Sequence, residues 1–225
     1  MSINLKTRGL VFATFFGSCI IIGLLVAALT TEYWVEAEAK HREVPESQGK
    51  VKFGLFSGSK NLNKRYGWRF NTTDIHALLR DDVIQHTWWL LTSLGVGFGL
   101  LSSFVAGVAS VIRAASASKK RGTMVILFVS NVSSLGAQAT ALIAWGIQFY
   151  KSLFDNVLLQ DDLAQNWTSA GLARLGSSFY FVVLGFFIAL LNIIFLTWAT
   201  IHERRQMRRY HSGDNDENKG AIMLY

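Results

Sequence analysis

Four stretches of this chain contain no aspartate, glutamate, lysine or arginine: residues 10–31, 88–112, 124–150 and 179–201. Charge is scarce elsewhere too, at 16% of 225 residues, where a soluble globular domain carries about a quarter. Each uncharged stretch is long enough to cross a hydrocarbon core roughly 30 Å thick as a helix. A single proline, Pro45, lies outside all four, so nothing in them breaks a helix. A single cysteine, Cys19, excludes any disulfide within the chain. Its place inside the first stretch reads as that of a small apolar packing residue. Metal-ligand spacing is missing as well. His41, His76, His86, His202 and His211 are dispersed, and no glycine-rich phosphate loop or nucleophile pattern accompanies them. These absences point away from catalysis and from cofactors. The uncharged stretches also lack the ionisable residues and helix breaks of a transport path.

What is present is a four-helix membrane pattern. The expected organisation is a transmembrane domain over residues 1–201, with loops at 32–87 and 151–178, and a disordered polar tail over 202–225 after a helical start. The first stretch exceeds the 7–15 residues of a signal-peptide core and lacks a small-x-small cleavage site before Tyr33-Trp34, so it reads as an uncleaved anchor. Four spans put both termini on one side. That side has eleven basic residues against four acidic ones, and the loop side has eleven of each. The positive-inside rule then places the termini in the cytosol. The whole +7 net charge is cytosolic, which removes nucleic acid as its explanation. Two glycosylation acceptors, Asn71 in "NTT" and Asn166 in "NWT", fall in the loops assigned outside; a third triplet at Asn131 lies mid-span. Aromatic residues at the outer ends (Tyr33, Trp34, Trp88, Trp89, Trp145, Phe149, Tyr150 and Tyr180) are expected as an interfacial belt.

Within the spans, small residues decide where helices approach. Gly95, Gly99, Ser103 and Gly107 recur every four residues in the second, as one packing face directed at the bundle or at a second copy. Asn131, Ser134 and Gln138 share a face of the third, and Asn192 lies in the fourth. Their amides are expected to join helices by hydrogen bonds.

The first loop has strand-like order. In "KVKFGLFSG", Val51, Phe53 and Leu55 alternate with Lys52 and Gly54 until Phe56 breaks the period. "TEYWVEA" before it and "NLNKRYGWRF" after it also read as strands, the latter with a turn. "TTDIHALLR" opens with capping residues Thr73 and Asp74 and places Ile75, Leu78 and Leu79 at helical spacing. The fold class expected is an all-α four-transmembrane-helix bundle with a small antiparallel sheet in the first outer loop. Gly54 is expected where strand and helix ends pack closely.

At these residues the chain resembles the claudin and peripheral myelin protein superfamily: four spans, Trp34 near the end of the first, and a Gly-Leu-aromatic strand at Gly54-Leu55-Phe56. Within it the chain is most similar to clarins, which share the Gly-Leu-Phe strand, a following basic-aromatic strand like "RYGWRF", a leucine-rich short helix like "IHALLR" and an apolar C-terminal pair like Leu224-Tyr225. It departs from claudins in having Phe56 where they carry tryptophan, and in lacking their loop cysteine pair. The resemblance implies a non-enzymatic plasma-membrane glycoprotein that organises membrane protein complexes in sensory cells serving hearing, balance and vision. Two alternatives stay open: an auxiliary subunit modulating an ion channel, and a claudin-like adhesion or barrier protein. A homo-oligomer fits each of them. The tail adds two features. "RRQMRR" under the membrane suits anionic lipid. "AIMLY", with Met223 and Tyr225 facing a groove and Leu224 between them, suits strand addition to a PDZ scaffold and so a cytoskeletal link.

Overall fold

The computed structural model describes the backbone of residues 5–44, 47–64, 67–115 and 121–222. Four long helices dominate: α1 (Leu5–Thr30), α3 (His86–Ala115), α4 (Arg121–Gln148) and α6 (Ser177–Ile222). The segments Arg8–Thr30, His86–Ala115, Gly122–Leu153, which runs five residues past the end of α4, and Ser177–Gln206 are long and apolar enough to cross a membrane. They form a ring in which α1 packs on α3 and α6, and α4 packs on the same two helices. The last helix does not end near residue 201 but runs on to Ile222. Its continuation "HERRQM" is built from good helix formers. Met223, Leu224 and Tyr225, the expected PDZ ligand, lie outside the described residues.

Between α1 and α3 come strands β1 (Val35–His41), β2 (Gln48–Phe53), β3 (Gly58–Lys64) and β4 (Gly67–Thr73), then the short helix α2 (Ile75–Arg80). The Asp74 carboxylate accepts from the His76 backbone N–H at 3.0 Å and caps α2. Between α4 and α6 come a π-helical turn (Phe149–Leu153), helix α5 (Gln160–Ala164), β5 (Trp167–Thr168) and β6 (Ala173–Leu175). The sheet is antiparallel in the order β4-β3-β2-β1-β5, with β6 also on β1. The sheet is therefore not confined to the first loop: residues 151–178 supply one of its edges. Strands of two and three residues show no period of two, which is why the sequence hid them.

The stretch "KVKFGLFSG" is not one strand. Val51 and Phe53 face inward on β2, the chain turns at residues 54–57, and β3 begins at Gly58, opposite Phe53. The Gly54 N–H closes the turn on the Ser57 carbonyl at 2.7 Å. Val35, Ala37, Val51, Phe53 and Leu62 form the buried face of the sheet. One continuous core runs from that face through Leu78, Leu153, Leu158 and Trp167 into the bundle at Trp34, Trp145, Leu25 and Val182.

The small-residue ladder of α3 packs within the chain. Gly95 lies against Ala137 and Ala141 of α4, the Ser103 and Ser134 hydroxyls share a 2.7 Å hydrogen bond, and Gly107 faces Ser18 of α1. The expected alternative use of this face, as a seam for a second copy, is not available, because all four positions are buried inside the bundle. Cys19 also differs from expectation. It is exposed on the outward flank of α1, while its neighbours Gly17 and Ser18 take the packing positions.

Candidate interaction surface at the sheet end of the bundle

Trp34, Gly54 and Leu55 meet at a clasp where α1, the hairpin and α6 converge. Trp34 is fully buried. Its indole N–H donates to the Ala28 carbonyl at 2.6 Å, and its ring stands edge-on to Trp145 at 5.0 Å. Gly54 sits against the Thr31 carbonyl so closely that any side chain there would collide with it. Gly176, just before α6, sits equally close to the Tyr33 carbonyl. The Thr31 and Ser178 hydroxyls share a hydrogen bond at 2.7 Å, and the Ser178 and Gly176 amides donate to the Tyr33 and Trp34 carbonyls. Leu55 is buried, and its carbonyl accepts from the Trp89 indole at 2.8 Å. Phe56 is 57% exposed and edge-on to Trp89, at the head of α3. Of the aromatic residues expected as a belt, Trp34, Trp145 and Phe149 are core residues instead, because the sheet covers the helix ends that carry them. Tyr33, Tyr150 and Tyr180 are exposed.

The outer face of the sheet is polar, and two rows of side chains cross it. Register places Arg174, Glu36, Lys52, Ser59 and Thr72 in one row, and Glu38, Lys50, Asn61 and Phe70 in the other. The Arg174 guanidinium donates to one Glu36 oxygen at 2.9 and 3.2 Å. The Lys52 ammonium donates to the Tyr33 hydroxyl at 3.0 Å and lies 4.4 Å from that ring's centroid. The hydrogen bond to Tyr33 is the main reason that the Lys52 ammonium is held above the ordinary lysine value, against the opposing cost of desolvation. The rows line a trough of about 870 Å³, to which both loops contribute. Phe70, 79% exposed, stands on its β4 side. Sequence reading missed this surface. Its charges alternate legibly along β1 and β2, but Arg174 joins them only through the β1–β6 pairing.

On the inner face, the Lys60 ammonium of β3 pairs with the Asp162 carboxylate of α5, tying the first loop to the second. The two glycosylation acceptors of the loops are exposed, Asn71 within β4 and Asn166 immediately before β5. The Asn166 amide donates to Glu43 at 2.8 Å. The third triplet is enclosed: Asn131 is buried, its amide donates to the Leu127 carbonyl, and its oxygen accepts from Asn192 at 3.3 Å. Gln138 is also buried, and its amide donates to the Ser134 hydroxyl at 3.0 Å. Among the described residues, no three His, Cys, Asp or Glu side chains are grouped to hold a metal ion.

Fold and surface define a class. This is a mostly helical chain with four helices apolar enough to cross a membrane, and one small antiparallel sheet built by both loops at one end of the bundle. The chain matches no family model and no curated protein.

Proposed function

We propose that the chain is a clarin-like four-pass glycoprotein of the plasma membrane, with cytosolic termini, that organises or stabilises membrane protein complexes in sensory cells. The observation that carries this reading is the two-loop trough: charged and polar side chains with an exposed aromatic residue, on the side of the sheet opposite its buried face. Such a mixed surface suits recognition of a protein partner. Charge balance favours loops outside and termini inside. The amides of Asn131 and Asn192 link helices, and the bonds from Asn192 to Asn131 and to the Thr14 carbonyl favour that role over a pore lining; Gln138, expected to do the same, bonds instead to Ser134 one turn earlier on its own helix. The tail, through Met223 and Tyr225, would carry the complex to a PDZ scaffold.

Crosslinked co-purification of the endogenously tagged protein from sensory tissue tests this. Recovery of scaffold, cytoskeletal or transduction-channel components is expected. One stoichiometric channel would turn the reading toward an auxiliary subunit. Recovery of the chain alone with junctional proteins would overturn it in favour of adhesion.

A further inference from the structure

A sheet with two free edges offers unpaired N–H and C=O groups to any other strand, and long, exposed, partly aromatic edges are the most hazardous. In this protein one edge is β4, seven residues long and carrying the exposed Phe70; its ladder partner is β3. The other is formed by β5 and β6, both paired to β1. The acceptor asparagines divide accordingly. Asn71 lies inside β4, Asn166 immediately precedes β5, and the buried Asn131 is out of reach of any sugar. So one accessible acceptor lies in one edge strand and the other adjoins the opposite edge of the same sheet, although 95 positions separate them in the chain.

We propose that glycans on Asn71 and Asn166 are edge caps, which keep β4 and β5 from pairing with the sheets of other copies of this chain. A branched glycan on an edge strand excludes a neighbouring backbone from the 4.7–4.9 Å that strand pairing requires, about the spacing within any sheet. β4 is the more dangerous edge, because β5 has two residues and β4 has seven. Loss of the Asn71 glycan therefore releases self-association, and loss of the Asn166 glycan releases less. The proposal rests on the outward placement of both loops, which belongs to the functional reading above.

The test uses the full chain in cells. Thr73→Val destroys the first acceptor triplet without touching Asn71. Thr73 is buried and its hydroxyl has no hydrogen-bond partner, so the isosteric change leaves the sheet intact. Thr168→Val removes the second triplet at the cost of one long bond, the 3.4 Å contact in which the Thr168 hydroxyl accepts from the Ala170 amide. Glycosidase treatment should remove two glycans' mass from the wild type and one from each variant. Surface crosslinking should then give a several-fold larger dimer and oligomer fraction for Thr73→Val than for the wild type. A smaller increase is expected for Thr168→Val. Adding Asn71→Lys to Thr73→Val should return the fraction to the wild-type level, because an edge lysine opposes pairing without a sugar. Trimming the glycans of the folded wild type to single sugar residues should raise it without any substitution. An unchanged oligomer fraction in Thr73→Val, with loss of its glycan verified, would overturn the proposal. A wild type with no glycan at either site would overturn it together with the outward placement. Glycans present but no complexes recovered would sink only the organising role.

Discussion

At the scale of single residues, the clasp makes the sharpest demands. A methyl group on Gly54 would collide with the Thr31 carbonyl, a backbone atom that has little freedom to yield. Gly54→Ala should therefore cost about 1–3 kcal/mol, the usual range for overpacking. Gly97→Ala in α3 is the matched control, since nothing lies within 4 Å of its added methyl; there the higher helix propensity of alanine should leave stability unchanged or slightly raised. Melting temperatures of the two variants in detergent decide the matter: equal values would show that the close approach at Gly54 relaxes freely. Trp34→Ala should lose about 3–5 kcal/mol, because it removes a fully buried indole. Trp34→Phe retains most of the packing but leaves the Ala28 carbonyl without its 2.6 Å donor, which corresponds to about 1 kcal/mol. If the two Trp34 variants melt together, packing against Trp145 contributes little.

At the scale of elements, two contacts tie parts that are remote in sequence. Lys60 of β3 and Asp162 of α5 are both largely buried. Asp162→Ala should cost about 1–3 kcal/mol, because it strands a desolvated ammonium group. The double change Lys60→Met with Asp162→Leu should recover most of that loss, since an apolar pair needs no solvation. Limited proteolysis of the 151–178 loop would report it; equal cleavage of single and double variants would place the tie elsewhere. Within the bundle, Gly17 of α1 abuts the Asn192 side chain of α6, which leaves no room for a methyl group. Gly17→Ala should destabilise the helix pair, and Asn192→Ala should relieve it, giving a favourable coupling in a double-mutant cycle. Strict additivity in thermal unfolding would argue that α1 and α6 simply move apart.

At the scale of the whole molecule, the two loops form one body. Glu36 and Arg174 are directly opposite on β1 and β6, and opposed Cβ atoms in an antiparallel pair are about 4.5–5.5 Å apart. A Glu36→Cys, Arg174→Cys variant should bridge the loops on modest adjustment. With Cys19 in α1 as the sole natural thiol, a shift in non-reducing gel mobility would be unambiguous after Cys19→Ser. Disulfides persist in oxidising compartments, so a bridge formed in intact cells also reports that the sheet lies outside. A variant that stays reduced in cells but closes under an added oxidant would place the sheet in the cytosol; one that closes under neither condition would contradict the register.

The helices were determined by the sequence alone, because a run of more than twenty uncharged apolar residues has few other stable states, and the requirement is local. So was the cap of α2 at Asp74, where one side chain meets a backbone amide two residues away. The partition of charge between the two ends of the bundle is equally a property of the residues, as is the polar-apolar alternation of β1 and β2. Tertiary structure decided what depends on distant partners. It turned "FGLFSG" from strand into hairpin, because Gly54 must fit beneath the Thr31 carbonyl. It drew Trp34 and Trp145 from an expected interfacial belt into the core, because the sheet folds over the helix ends. It placed β5 and β6 on β1, although neither is long enough to declare a period. And it set Asn71 in one edge strand and Asn166 beside the strand at the opposite edge of one sheet, since strand order, unlike strand formation, is decided by contacts between segments that the chain keeps far apart.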